Sequence, residues 1–390
     1  MHRRTAVTTG VVLAATGASV AVGRWVTSKV GTVEAPAGLE ADPAELAAAD
    51  AVLSRHPAID MHAHPGRTFV RDARHLALPV RLYAMRGSFE QRVVDEARAG
   101  GLAAVCANAV PDFATLGLAR GGLRMAREFE PGEAWAAYRT QLGNLAALGD
   151  RVGVEIVRDP DALSRARARG ALGVILGVEG ADYLDGRLDR VAQTFADGVR
   201  VLTLVHFYRG GPVGDVMTDA PVHGGLTAFG RDVVRELNRV GIVVDLSHAS
   251  EPTAYAALDV ATSPLLLSHT DLVGPGATHP RFVSSALARA VADAGGVVGA
   301  WPAGIVLRTL DDFAARIVDL VDVLGADHVG IGTDMDANDR PVLETYAKLP
   351  LLVVALRRRG LDDETLVKVL GGNYLRVMSE VLGRAEAGVG

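Results

Sequence analysis

Eight short apolar runs, spaced along the chain from about residue 57 onward, constrain its fold more than any other feature. Each run is followed by a turn of polar or small residues and then by a helical stretch rich in Ala, Leu and Arg. Runs that are apolar almost throughout are typical of parallel strands buried on both faces and joined by helical crossovers. Eight such units predict an α/β fold, a (β/α)8 TIM barrel, and no GxGxxG follows the first run to favour a dinucleotide-binding sheet. The runs are residues 58–64, 102–110, 172–180, 199–207, 242–250, 264–270, 295–303 and 328–336.

Composition, net charge and the use of cysteine and lysine exclude several classes of protein function. With 390 residues, 49% hydrophobic and 22% charged, the chain is typical of a globular enzyme and not of a disordered or fibrous protein. A net charge of −6 and the lack of a basic run exclude the electrostatic surface that a nucleic-acid partner requires. The single cysteine, Cys106, excludes an internal disulfide framework. No lysine lies between Lys29 and Lys348, which excludes a Walker loop in that span and disfavours Schiff-base chemistry.

The first 37 residues have the layout of an export signal. Arg3 and Arg4 precede an uncharged segment, residues 5–23, and Ala35-Pro36-Ala37 offers a cleavage site. Paired arginines before a weakly hydrophobic core resemble a twin-arginine signal, which would export the folded protein to the periplasm or the extracellular space. If the segment were not cleaved, it would anchor the protein in the membrane. We therefore predict an export signal or anchor with a linker over residues 1–37, and a single (β/α)8 domain over 38–390.

Ionisable side chains lie at the ends of six of the eight runs. Because the active sites of (β/α)8 barrels are built at the C-terminal ends of their strands, we expect these groups to converge on one rim of the barrel. Five of the 11 histidines in the chain are among them. The groups are His62, His64, Glu179, His206, His248, His269 and Asp334.

The histidines form two pairs that could each hold a metal ion. Strand alternation places His62 and His64 on the same face, where two imidazoles can bind one ion. His248 and His269 follow consecutive strands and could share a second ion. Either pair could instead consist of core histidines that are satisfied by hydrogen bonds.

Two carboxylates complete the predicted metal centre. Glu179 ends an apolar strand, and a buried carboxylate is costly unless it is paired or binds metal. Without a lysine to be carboxylated, Glu179 is the best candidate to bridge two ions. Asp334 is placed to exchange a proton with a metal-activated water, although the alternative role of a helix N-cap would fit Asp336 equally well.

The remaining polar candidates concern the substrate. His206 could be a metal ligand, but we favour an electrophilic role against a developing oxyanion. Arg281 follows the sixth run and could bind a substrate carboxylate through two hydrogen bonds, or could form a surface salt bridge. Cys106 is expected in the core, and Trp135 and Tyr138 in packing or in the wall of a pocket.

The sequence contains four long blocks, at residues 224–250, 268–282, 328–336 and 371–377. They resemble the zinc-dependent membrane (renal-type) dipeptidases, peptidase family M19. The resemblance extends from about residue 58 to 380, and it implies a barrel with two zinc ions per chain that hydrolyses dipeptides. In this pattern Glu179 bridges the ions, His248 and His269 hold the second ion, and His206 polarises the scissile carbonyl. Arg281 binds the free carboxylate and Asp334 manages the proton.

The chain departs from the family pattern in two places. The family usually has His-x-Asp on the first strand, whereas this chain has His62-Ala63-His64, so a neutral ligand replaces an anionic one. The loop that follows His206, residues 207–215, also differs, which bears on substrate scope. A site that is more positive by one unit should acidify bound water and alter metal preference.

Three functions follow as hypotheses. The first is a zinc-dependent dipeptidase that uses a metal-activated water. The second is a related metal-dependent amidohydrolase acting on another amide or lactone. The third is a catalytically inactive exported binding protein, which the complete set of ligand-type residues disfavours. The candidate partners are a dipeptide substrate, the membrane through the N-terminal segment, and a second copy of the chain in a homodimer.

Overall fold

The computed structural model describes residues 39–73, 90–119, 122–338 and 340–387. The predicted export segment therefore lies outside the described residues. In the part of the chain that is described, no helix has both the length and the apolar character needed to cross a membrane.

Eight parallel strands form a nearly closed barrel, in which each strand pairs with the next of the eight along the chain. They coincide with the eight apolar runs, so the predicted barrel is confirmed. All the residues of these strands are buried, as strands covered on both faces must be. The strands are β1 (Ala58–Ala63), β2 (Leu102–Ala109), β6 (Leu172–Glu179), β7 (Val199–Thr203), β8 (Val243–Asp245), β9 (Leu266–Thr270), β10 (Val297–Ala300) and β11 (Val329–Ile331).

The barrel closes between β1 and the segment that follows β11. Ala63 forms a parallel bridge with Met335. The amide of Asp334 donates to the carbonyl of His62 at 2.8 Å, and the amide of His64 donates to the carbonyl of Met335 at 2.9 Å. This closure brings Asp334 beside the two histidines of β1, although more than 260 residues separate them in sequence.

Helices pack around the barrel, and their ends carry the expected signals. For example, α6 begins after the N-cap Thr227, whose hydroxyl accepts from the amide of Gly230, and it ends at Gly241 with φ 89°. Glycine adopts that left-handed conformation without steric cost, so the chain can turn directly into β8. The helices are α1 (Pro43–Arg55), α2 (Glu90–Ala99), α3 (Glu133–Ala146), α4 (Pro160–Ala168), α5 (Asp189–Ala196), α6 (Ala228–Val240), α7 (Glu251–Leu258), α8 (Ser285–Asp293), α9 (Leu310–Leu324), α10 (Leu349–Arg358), α11 (Asp363–Val367) and α12 (Asn373–Ala387).

Three further strands do not belong to the eight repeated units. β3 (Leu116–Ala119) and β4 (Gly122–Met125) form an antiparallel pair in the connection after β2. β5 (Val154–Val157) pairs with the first half of β6, and β7 pairs with the second half. These strands extend the fold without changing which strand ends meet at the site.

Candidate metal centre

The first half of the site is formed by His62 and His64 with Glu179. The Nε2 atoms of the two histidines lie 3.2 Å apart, and each lies 3.4 Å from a carboxylate oxygen of Glu179. Zinc ligands about 2.1 Å from a tetrahedral ion lie roughly 3.4 Å from one another. His62 contacts Oε1 and His64 contacts Oε2, and each of these spacings is close to what two ligands of one ion require.

A hydrogen bond on the side of the ring away from the site orients His64. Its Nδ1 lies 3.2 Å from the carbonyl oxygen of Asn108, which can only accept a hydrogen bond. Nδ1 therefore carries a proton, and Nε2 is the nitrogen that faces the site. Outer hydrogen bonds of this kind commonly orient histidines that bind metals.

The second half of the site is formed by His248 and His269 with the same carboxylate. Their Nε2 atoms lie 3.2 Å apart and are 2.9 and 3.6 Å from Oε1 of Glu179. His248 has a φ of 67°, a conformation that is uncommon for residues other than glycine. Strain of this kind often marks functional sites, and here it accompanies an imidazole directed at the shared carboxylate.

Glu179 is the point at which the two halves meet. It is 2% exposed, its Oε1 contacts His62, His248 and His269, and its Oε2 contacts His64 and His206. Burial raises the pKa of the carboxyl, but the nearby His206, His62 and His248 lower it by more than burial raises it. The pKa therefore lies well below its usual range. The group is therefore a carboxylate with both oxygens facing candidate ligands.

Asp334 lies beside His64. Its Oδ1 is 3.3 Å from Nε2 of His64, and the residue keeps 9% of its surface exposed. Burial alone would lower the pKa of His64, but hydrogen bonds to Asp334 and Glu179 raise it to about 10. Binding of a cation at Nε2 would therefore release a proton. Asp336 instead has a structural contact: its Oδ2 accepts a hydrogen bond from the amide of Gly66 at 2.7 Å.

His206 is held by a carboxylate that the sequence reasoning missed. Its Nδ1 lies 2.7 Å from Oδ1 of Asp112, whose Oδ2 accepts from the amide of Phe207 at 3.1 Å. Burial lowers the pKa of His206, but Asp112 and Glu179 raise it by more, so the net shift is upward. The available signal was that Asp112 follows the second apolar run, as the other candidates follow theirs.

Arg281 lies inside the site and not on the surface. It is 4% exposed, and its Nη2 is 2.9 Å from Nε2 of His269. Its guanidinium also lies over the ring of Trp301 at 5.4 Å, and its Nη1 is 3.0 Å from Sδ of Met217. Burial lowers the pKa of Arg281 to about 10, which leaves it charged at neutral pH. The surface salt bridge is therefore not its role.

The other residues considered lie in packing. Cys106 is fully buried in the core. Tyr138 stacks on Tyr183 with ring centroids 4.2 Å apart, and Trp135 lies 5.2 Å from Tyr138. The hydroxyl of Tyr138 donates to Asp197. These aromatic residues stabilise the layer around α3.

The structure brings all seven rim residues and Arg281 into one buried cluster. Three overlapping triplets have their ligand atoms within 4.8 Å of one another: His62 with His64 and Glu179, His62 with His269 and Asp334, and Glu179 with His206 and His248. The donor set of imidazole nitrogens and carboxylate oxygens suits zinc or a similar divalent transition metal. The residues present therefore fit a metal centre.

Comparison with known proteins places this arrangement in a family. The family described as membrane dipeptidase (peptidase family M19) matches residues 46–387. Dipeptidase tcpJ of Claviceps purpurea is 32% identical over 237 residues, which is 58% of this chain and 55% of that protein. An uncharacterized dipeptidase of Schizosaccharomyces pombe, C3A11.10c, is 36% identical over 223 residues, 54% of this chain and 53% of that protein. The chain thus spans about half the length of the curated relatives it matches.

Solved structures agree on the fold. The probable dipeptidase PvdM from Pseudomonas aeruginosa superposes with a TM-score of 0.74 at 18% identity, covering 88% of this chain and all of that one. A metallo peptidase from Rhodobacter sphaeroides, liganded with a phosphinate mimic of the dipeptide L-Ala-D-Ala, gives 0.68 at 21% identity, covering 84% and 99%. On the family match over most of its length, the chain belongs to the membrane dipeptidase family, peptidase family M19.

Proposed function

We propose that the protein is a zinc-dependent dipeptidase with a binuclear site, in which Glu179 bridges two ions. One observation carries the proposal: a single buried carboxylate lies within 3.6 Å of two separate pairs of imidazoles. Five ligand residues, one of which is the shared anionic bridge, are more than one tetrahedral ion binds. In this proposal His62 and His64 hold the first ion, and His248 and His269 hold the second.

Zinc is proposed because its preferred ligands are those present. Imidazole nitrogen and carboxylate oxygen dominate the set, and thiolate is absent from the cluster as described. When bound, the two ions would polarise the scissile carbonyl and lower the pKa of a water so that it attacks near neutral pH. His64 in place of the family's aspartate would leave the site more positive by one unit, which bears on the choice of metal.

The side chains around the centre divide the remaining chemistry. As water adds to the peptide carbonyl, His206 donates from Nε2 to the oxygen that becomes negative. Asp334 accepts the proton from the attacking water and transfers it to the leaving amine nitrogen as the C–N bond breaks. Arg281 binds the substrate's terminal carboxylate through two charge-assisted hydrogen bonds.

The place of action is also a proposal. Residues 1–37 carry the paired arginines and the uncharged segment of an export signal, so we propose action outside the cytoplasm, with membrane attachment if the segment is retained. A homodimer remains a hypothesis, and sedimentation of the purified protein would test it.

The role of Arg281 gives the sharpest test of substrate class. A desolvated guanidinium that loses its anion costs roughly 1–3 kcal/mol. Amidating the C-terminus of a good dipeptide should therefore lower kcat/KM by about tenfold to a hundredfold. Arg281→Ala should remove most of this discrimination, because it weakens cleavage of the free acid far more than that of the amide.

The control is Arg235→Ala, which deletes a surface arginine whose side chain is 58% exposed and should preserve the discrimination. Equal cleavage of the dipeptide and its amide by the wild type would reject the dipeptidase assignment. It would favour an amidohydrolase acting on another amide or lactone, with the same metal centre.

A further inference from the structure

A buried hydroxyl lies between one histidine of each proposed metal pair. The Oγ of Ser268 is 3.3 Å from Nδ1 of His62 and 3.0 Å from Nδ1 of His269. Ser268 is fully buried, so no solvent competes for these contacts. Its other polar neighbours are Oδ2 of Asp245 at 2.7 Å and Oγ of Ser247 at 3.1 Å.

Asp245 determines where the proton of this hydroxyl points. Its Oδ1 accepts from the backbone amides of Ser247 at 3.1 Å and Ser268 at 2.9 Å. Its Oδ2 accepts from the hydroxyls of Thr203 and Ser268, each at 2.7 Å. A carboxylate has about four acceptor positions, and donors occupy all of them here. The Ser268 proton therefore points at Asp245, since that contact is the shortest it makes.

A serine hydroxyl has one proton and two lone pairs. With its proton directed at Asp245, Ser268 can only accept from its remaining neighbours. Its two lone pairs are filled when each of the two imidazoles donates to it, so the 3.1 Å contact with Ser247 is not a hydrogen bond in this arrangement. Each imidazole that contacts it must then carry its proton on Nδ1. The Nε2 lone pair of each ring is left facing the site.

Arg281 supplies independent support at His269. A guanidinium can only donate, and Nη2 of Arg281 lies 2.9 Å from Nε2 of His269. Nε2 is therefore the acceptor, and the proton of that ring lies on Nδ1, toward Ser268. The other two histidines are held differently: Nδ1 of His64 meets the Asn108 carbonyl, and Nδ1 of His248 has no hydrogen-bond partner among the described residues.

We propose that Ser268, oriented by Asp245, is a positioning residue that fixes the Nδ1–H tautomer of both His62 and His269. This inference rests on the proposed binuclear site, because its value lies in presenting one Nε2 lone pair to each ion. One hydroxyl thus couples the two halves of the centre, and its loss should weaken both ions together.

The direct test is the tautomer itself. Long-range ¹H–¹⁵N spectra of chelator-treated, ¹⁵N-histidine-labelled protein should show His62 and His269 protonated on Nδ1, with signals assigned through single His→Gln variants. Ser268→Ala should give a mixture of tautomers for His62. His269 should shift less, because Arg281 still donates to its Nε2, and His64 should stay unchanged. Wild-type protein with either ring protonated on Nε2 would overturn the inference.

Zinc affinity is the second readout. Losing an outer partner of a ligating histidine typically costs 10–100-fold in metal affinity, so Ser268→Ala should raise the zinc Kd of both ions by about that factor. Asp245→Asn keeps the shape but must turn its amide nitrogen toward the hydroxyls, since both backbone amides need its oxygen. It should therefore turn the Ser268 proton toward the imidazoles and favour Nε2–H at His62, since Arg281 still donates to Nε2 of His269. Zinc binding should weaken as in Ser268→Ala.

The matched control is Thr203→Val, which removes a hydroxyl from the same oxygen of Asp245 without touching an imidazole. It should leave the tautomers and the zinc affinity close to wild type. Ser268→Ala protein that binds two ions with wild-type affinity would refute the positioning role and leave the proposed function intact. Wild type that binds no zinc but shows both Nδ1–H rings would refute the metal site and keep the tautomer assignment.

Discussion

Asp112→Asn tests how His206 acts. The buried carboxylate contacts Nδ1 of His206 through Oδ1 at 2.7 Å and the amide of Phe207 through Oδ2 at 3.1 Å. In the variant, the amide oxygen must serve Phe207, because a backbone N–H can only donate. The amide nitrogen then faces Nδ1 and donates to it, so His206 becomes a neutral ring protonated on Nε2.

The expected fall in kcat/KM follows from the loss of positive charge on His206. His206 would still donate from Nε2 to the developing oxyanion, but as a neutral group. Charge-assisted hydrogen bonds contribute about 1.5–3 kcal/mol and neutral ones about 0.5–1.5 kcal/mol, a difference of about 1–1.5 kcal/mol. We therefore expect kcat/KM to fall by about 5- to 15-fold, with metal content unchanged because Asp112 contacts no proposed ligand.

The pH profile of kcat/KM should show the direction in which the pKa of His206 changes. Burial lowers the pKa of His206, and Asp112 and Glu179 raise it above its usual value, so the charged form persists to higher pH in the wild type. Removing the Asp112 charge lowers that pKa, and the alkaline limb of kcat/KM should move to lower pH. Asp189→Asn, a change at a side chain that is 55% exposed, is the control. Full metal loading with a wild-type rate and pH profile would refute the role assigned to this pair.

Two further predictions concern the centre and the core. Glu179→Gln should lose both ions and activity together, because a neutral amide cannot bridge two cations, whereas Asp334→Asn should keep its ions and lose kcat. Metal analysis and steady-state kinetics on the same samples distinguish the two results. Glu179→Gln protein with full metal content would reject the bridging role. Cys106 is fully buried and burial raises the pKa of its thiol, so iodoacetamide should alkylate it only after unfolding. Alkylation of the native protein, followed by mass spectrometry, would contradict the packing of β2.

The sequence predicted those features that depend on local pattern. Each of the eight barrel strands is an apolar run, and the position of His248 or Asp334 near the end of a run already placed it on the rim. Features that depend on contacts between distant segments were not predictable in this way. Asp112 matters only because it meets His206, 94 residues later, and Asp245 only because hydroxyls from two neighbouring strands converge on it.

The missed strands have a similar explanation. β5 is four residues long and pairs only with the start of β6, so it lacks the long apolar run that marked the others. Two of the charged residues within apolar strands, Asp60 and Asp245, were visible signals of buried hydrogen-bond networks. Their partners, which include Thr333 and Tyr346 for Asp60, become identifiable only once the strands are assembled.

In the proposed site one carboxylate, Glu179, holds two ions and the site hydrolyses peptides. The most direct measurement is the zinc content of the chelator-stripped protein after reconstitution with excess zinc and desalting, with hydrolysis of a dipeptide followed in the same samples. We predict about two zinc ions per chain, because two imidazole pairs share Glu179, and activity that disappears on chelation and returns with the second ion. One ion or fewer per chain, or two ions without hydrolysis across a dipeptide panel, would contradict the account.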